Sequence, residues 1–340
     1  MQSDFFLTQW AFLGMRWLYE SLTNESIVLT VLIATVIIRG LSVIGDIKSR
    51  KSSMRMQAVQ PQLQKIQKKY EKDPQKLNIE QRKFMRENNV SMFGGCLPML
   101  ITMPLFFIFI AAFRQWGTEM MVKLILTLEQ NEQAGLEMFE KFKFLWINNM
   151  WQPDSGLKPV MQTAAEFLGK ANATLPKLIY FRENPEALQR FVDLGFFVKS
   201  GDTYALATVT EELTARYNTI VQPCIDLYAG YNNGSFILPL LAGGTMFLSS
   251  WIMQKGQPPQ DPNNPAASSG KLMNYLFPLM SVWFCLSYNA SFALYWTISS
   301  ALSIITTLLI NLSMKKEMAA VNGGTIEVKP ETVKKEGNSK

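Results

Sequence analysis

Apolar residues in this chain collect into five blocks, at about 27–45, 96–114, 235–253, 272–287 and 290–311, with charge returning between them. A helix rising about 1.5 Å per residue needs roughly 20 such residues to cross a hydrocarbon core about 30 Å thick. The pattern therefore predicts an all-α integral membrane protein with five transmembrane helices. The fourth block is short and carries Pro278, which suits a thinned bilayer or a site beside other helices.

Between the first two blocks the periodicity changes. Met56, Val59, Leu63, Ile66 and Tyr70 recur at steps of three and four, which makes one apolar stripe on a helix whose other faces carry Lys65, Lys68, Lys69 and Lys72. Asp73-Pro74 breaks that helix, and a second one from about Gln75 to Asn88 places Leu77 and Phe84 on one face beside Arg82, Lys83 and Arg86. The pair reads as a helical hairpin. Its basic faces, with Lys65, Lys68, Arg82 and Lys83 foremost, suit contact with clients, anionic lipid head groups or ribosomal RNA. A solvated charged face is the plainer alternative. At the N-terminus, Phe6, Trp10, Leu13 and Trp17 share a face beside Gln9, Arg16 and Glu20, which predicts a retained helix rather than a cleaved signal, lying in the outer interface or, alternatively, packed with that face buried.

Charge orients the spans. Segment 46–93 holds twelve Lys and Arg against five acids, whereas residues 1–26 hold Arg16 alone. Positive residues stay cytoplasmic, so the N-terminus is expected outside and the C-terminus inside. The chain then divides into an interfacial helix (1–25), a first span (26–45), a cytoplasmic helical hairpin (46–93) and a second span (94–114). An extracellular loop with an inserted lobe (115–234) precedes a third span (235–253), a cytoplasmic loop (254–271), the fourth and fifth spans (272–311) and a cytoplasmic tail (312–340). The composition agrees: 48% of the 340 residues are apolar and 18% charged.

Arg39 interrupts the first block, and a charge there costs about 2.5–3.5 kcal/mol on insertion scales. It lies roughly 9 Å from the Gly45 end of the span, so it can snorkel to the nearer surface or line a hydrated cavity. Catalytic readings find little purchase. The chain has no histidine, which removes Ser-His-Asp hydrolysis, histidine metalloproteolysis and most zinc sites, and it has no phosphate loop. Cys96, Cys224 and Cys285 show no pairing pattern and read as packing residues. No enzyme, cofactor, metal or DNA partner is expected. A secondary transporter of an anionic solute is the alternative, because an intramembrane arginine can bind an anion. Against it, the spans show no repeat symmetry and no intramembrane acid for proton coupling.

Several short strings then converge. Gln60-Pro61, Lys68-Lys69-Tyr70, the run Gly94-Gly-Cys-Leu-Pro-Met-Leu-Ile-Thr-Met-Pro-Leu-Phe106, Phe144-Leu-Trp-Ile147, the run 237–250 and Leu294-Tyr-Trp296 resemble the YidC/Oxa/Alb family of membrane protein insertases, in order and in spacing to the spans. The resemblance covers roughly 25–150 and 232–312. It implies five helices around a hydrophilic groove open to the cytosol, with Arg39 and Trp296 at the groove. It also implies nascent membrane protein clients, with the Sec translocon and the ribosome as further partners, in a bacterial plasma membrane. Ser249-Ser250 stands where the family often has glutamine, and Ser299-Ser300 where asparagine is common, so Ser249, Ser250 and Ser300 are the hydroxyl candidates for groove polarity. Residues 156–232 fall outside the resemblance and read as a small extracellular lobe, with helical patterns such as 184–195 and 208–217.

Overall fold

The computed structural model describes residues 6–88, 97–254 and 265–322. The helices are α1 (Phe6–Trp17), α2 (Ile27–Lys69), α3 (Pro74–Glu87), α4 (Leu97–Gln130), α5 (Glu132–Glu140), α6 (Ala164–Phe167), α7 (Ile179–Glu183) and α8 (Pro185–Asp193). A β-hairpin follows, β1 (Phe197–Ser200) with β2 (Thr203–Leu206), then α9 (Glu211–Leu227), α10 (Ile237–Gln254), α11 (Pro265–Ser287) and α12 (Ala290–Asn322). Segments Ile27–Lys48, Pro104–Gln130 and Ala290–Leu312 are long and apolar enough to cross a membrane, and Ile237–Ile252 and Tyr275–Ser287 are shorter apolar helices.

Two compact units divide the chain: residues 1–43 with 98–304, and residues 44–97 with 305–340. In the larger unit, α4 packs an aromatic row against the last helix. Phe106 meets Trp296 at 4.9 Å and Phe284 at 5.0 Å, Phe109 meets Tyr295 at 5.1 Å, and Trp116 meets Trp151 at 4.8 Å, centroid to centroid. Most of these pairs are edge-on or tilted, as ring quadrupoles favour. Helix α4 does not stop at residue 114, where the hydropathy falls. Gln115 and Glu119 are buried and Lys123 is half-buried, so sixteen further residues stay helical, to Gln130. Leu41, Val36 and Ile37 of α2 are exposed, Leu41 at 76%, as lipid-facing side chains are.

Helix α10 lies close against α11 at Gly243. A Cβ there would run into the Val282 side chain, so only glycine permits this approach. In α1 the face forecast as apolar is the exposed one: Trp10 is 74% exposed, with Phe6, Leu13 and Trp17 beside it, while Phe12 and Met15 are buried. After a π-turn at Leu18–Leu22, Asn24 and Glu25 take positive φ before α2 begins.

Residues 141–236 build a small lobe that continues the same core. Phe181, Phe191, Phe196 and Phe197 form its edge-packed centre, and Phe167 stacks on Tyr217 at 5.8 Å. Each fully buried ring contributes about 1.5–3 kcal/mol where water is the alternative. The helical forecasts hold at α8 and at α9, which starts after the Thr210 cap. The β-hairpin is new. It pairs Phe197 with Leu206 through Ser200 with Thr203, and Phe197 in the core supplies the tertiary support that an isolated hairpin lacks.

In the smaller unit α2 runs on to Lys69, with Pro61 inside the helix. A turn at residues 70–73 leads to α3, where the Asp73 carboxylate accepts from the Lys76 amide and Pro74 takes the first turn. Val59 and Met85 are buried apolar side chains of the helix pair α2 and α3.

Candidate functional site

Arg39 is half-buried on α2, and its Nε donates to Ser299 Oγ of α12 at 2.8 Å. A guanidinium and a hydroxyl thus meet between two apolar helices. Ser300, which the sequence singled out, is buried one position further along, and Ser299 is the hydroxyl that receives the guanidinium. Trp296 turns elsewhere: its indole Nε1 donates to Ser281 Oγ of α11. Ser249 and Ser250 are half-buried on α10. The motif residues Gly94, Gly95 and Cys96 lie outside the described residues.

Lys65, Lys68, Arg82 and Lys83 are all exposed, the first two on α2 and the others on α3. Exposed cations at helical spacing give a polyvalent basic surface, the chemistry that meets anionic lipid or nucleic acid.

Two charged sites were not legible in advance. Glu119 is 1% exposed on α4, and its Oε1 stands 3.1 Å from Lys123 Nζ and 3.5 Å from Arg16 Nε. Arg16 in turn reaches Glu183 at 2.7 Å, and Lys123 reaches Glu20 at 3.2 Å, so the N-terminal helix, α4 and the lobe share one ionic network. Beside it opens a cavity of about 780 Å3 lined by Tyr19, Lys123, Lys141, Tyr180, Glu186 and Arg190 among others. Its cations are held across the walls, Lys141 by Glu25 and Arg190 by Glu129.

The second site is an anchor at the lobe's base. Phe144 and Ile147 exchange backbone hydrogen bonds in a tight turn, with Leu145 at φ 52° and Ile147 buried, which turns the Trp146 indole back to donate to Asp154 Oδ2 at 3.1 Å. Asp154 is fully buried and also accepts from the Ser235 amide at 2.5 Å and the Leu238 amide at 2.7 Å, at the start of α10. Gly234 is held at φ 79°, and a Cβ on it would strike Asp154, so glycine is required twice over. Asn149 and Asn233 are both fully buried: the Asn233 side chain accepts from the Asn149 amide and donates to the Asn149 carbonyl, which ties the two ends of the lobe, while the Asn149 side chain donates to the Val160 carbonyl.

Cys224 and Cys285 are free and buried. Burial pushes the Cys224 thiol of the lobe up to about 12.

Residues 17–317 match the family described as 60Kd inner membrane protein. The chain belongs to this family. Among its relatives, the membrane protein insertase YidC of Clostridium perfringens is 32% identical over 142 residues, 42% of this chain and 51% of the relative. That of Clostridium tetani is 34% identical over 131 residues, 38% of this chain and 50% of the relative. In Treponema denticola the protein of the same name is 26% identical over 304 residues, which is 89% of this chain and 37% of that one. The chain therefore spans about half the length, or less, of these curated relatives. With three helices among the described residues long and apolar enough to cross a membrane, this family member is a multi-pass membrane protein of the bacterial membrane.

Proposed function

We propose that this chain is a membrane protein insertase, which receives client transmembrane segments in a hydrophilic groove among five helices and releases them sideways into lipid. The observation that carries the reading is Arg39, placed on an apolar helix with its guanidinium held against Ser299 of α12. The names of the relatives support it. The groove opens to the cytosol and would draw on Ser249, Ser250 and Ser300 as well as Trp296. The N-terminus lies outside and the C-terminus inside, in accord with the basic arm. The helix–turn–helix of α2 and α3 is the cytoplasmic hairpin, which meets clients, lipid and, during synthesis, the ribosome or a Sec translocon. Trp10 and Trp17 of α1 rest in the outer interface.

No nucleotide or catalytic step is needed. A client helix gains about 0.3–0.6 kcal/mol per Leu-like residue at mid-membrane, while each acidic residue of its exported tail costs about 2.5–3.5 kcal/mol to bring across. The tail is the barrier. A hydrated groove shortens its dry path, Arg39 attracts its carboxylates, and a membrane potential pulls them outward at about 2.3 kcal/mol per charge per 100 mV.

The test is insertion into liposomes of a single-span client with one or two acidic residues in its exported tail, beside a neutral-tailed version. Arg39→Lys retains most insertion, Arg39→Ala loses roughly tenfold on the acidic client, about 1.4 kcal/mol, and Arg39→Glu loses more. Equal insertion of the acidic client by Arg39→Ala, at equal expression, would overturn the charged-groove mechanism.

A further inference from the structure

We infer that residues 149–154 form a clamp that fixes the outer ends of α10 and α12 to one another, with Asp154 as its positioning residue. Both helices begin on this short segment. The first turn of α10 gives its Leu238 amide to Asp154, and the Ser235 amide just before it does the same. The first turn of α12 gives its Ala290 amide to the Gln152 carbonyl at 2.9 Å and its Ser291 amide to the Met150 carbonyl at 3.0 Å; the Ser291 hydroxyl donates to that same carbonyl.

The two sets are one cluster rather than two caps. Asn233 Nδ2, two residues before Ser235, donates to the carbonyls of Asn149, Gln152 and Pro153, so Gln152 serves both helices at once. Thr297, about two turns into α12, then reaches the Leu238 carbonyl in the first turn of α10 at 3.4 Å, which joins the two helices directly. Asp154, Asn149 and Asn233 are fully buried, so water cannot replace a lost partner. A carboxylate suits the centre because it only accepts, and three donors converge on it: the indole of Trp146 and two amides. Helices pinned at one end keep their freedom to part at the other. This functional consequence rests on the insertase reading; the clamp itself does not.

The test is amide hydrogen exchange on the full chain in lipid nanodiscs, with client insertion measured on the same preparations. In Asp154→Ala the first turns of α10 and α12 should both exchange at least tenfold faster, although of these two helices Asp154 bonds α10 alone, while α9 keeps its protection. Client insertion should fall at least fivefold. Asp154→Asn keeps one acceptor oxygen and should recover part of both effects. Faster exchange confined to α10 would reduce Asp154 to an ordinary helix cap and overturn the clamp. Loosening of both first turns with undiminished insertion would overturn its positioning role. If Asp154→Ala loses protection throughout α9, the chain has misfolded and Asp154→Asn decides: unchanged exchange in α10 and α12 refutes the proposal. Failure of the unsubstituted chain to insert any client would count against the insertase reading, and the exchange comparison would still decide the clamp.

Discussion

At the scale of single residues, polar groups in this protein are placed by partners far away in sequence. Arg39 and Ser299 are 260 positions apart, and Asp154 is 81 from Ser235. Such pairings resist substitution when burial denies them water, because an orphaned buried donor or acceptor costs about 1–3 kcal/mol. Gly234 is the sharpest example. Its left-handed backbone and the Asp154 side chain against it leave no room for a methyl group. Gly234→Ala should destabilise the protein by more than about 1 kcal/mol and lower its thermal midpoint by several degrees, read by a thermal shift in detergent. An unchanged midpoint would mean that the Asp154 turn relaxes freely.

Elements carry two further expectations. Helix α1 buries Phe12 and leaves Leu13 exposed beside Trp10 and Trp17. A nitroxide at position 13 should therefore collide with lipid-soluble oxygen far more than one at position 12, and equal collision rates would argue against a helix lying in the interface. The basic arm invites a different experiment. Reversing Lys65, Lys68, Arg82 and Lys83 to Glu leaves buried Val59 and Met85 untouched, so α2 and α3 should remain helical. Client delivery should drop severalfold at low salt and the loss should shrink as salt rises, since exposed charges are screened beyond about 8–10 Å. Delivery unaffected at every salt concentration would make these charges a solvated surface.

For the whole molecule, the decisive property is orientation across the bilayer. A cysteine at Ser200, in the exposed turn of the β-hairpin, should react from outside with a membrane-impermeant thiol reagent, and one at Ser52 should not. The native lobe cysteine does not confuse the assay. Cys224 is fully buried and its thiol is pushed up to about 12, so near pH 8 it holds almost no thiolate. Labelling at position 52 in intact cells would invert the topology and remove the ground for an outward-facing lobe.

Local chemistry was readable along the chain wherever one residue and its neighbours suffice. Among the described residues the apolar blocks correspond to three helices long and apolar enough to cross a membrane and two shorter apolar ones, Asp73-Pro74 marked the turn after α2, and a lone arginine in an apolar run drew attention to Arg39. The stripe on α1 was also legible, although its periodicity could not say whether that face is covered; the fold leaves it open. Hydropathy ended the second span at residue 114 because it counts Glu119 as a cost wherever it stands. Lys123 lies one turn on along the same helix, but only the fold brings Arg16 against that carboxylate as well and buries it within α4, which continues to Gln130. Ser299 and Ser300 are likewise indistinguishable as neighbours in sequence. A helix turns about 100° between them, and the packing of α12 decides which hydroxyl meets Arg39. Asp154 carried no signal at all, because the donors that define it belong to another helix and another loop, and only chain folding brings them together.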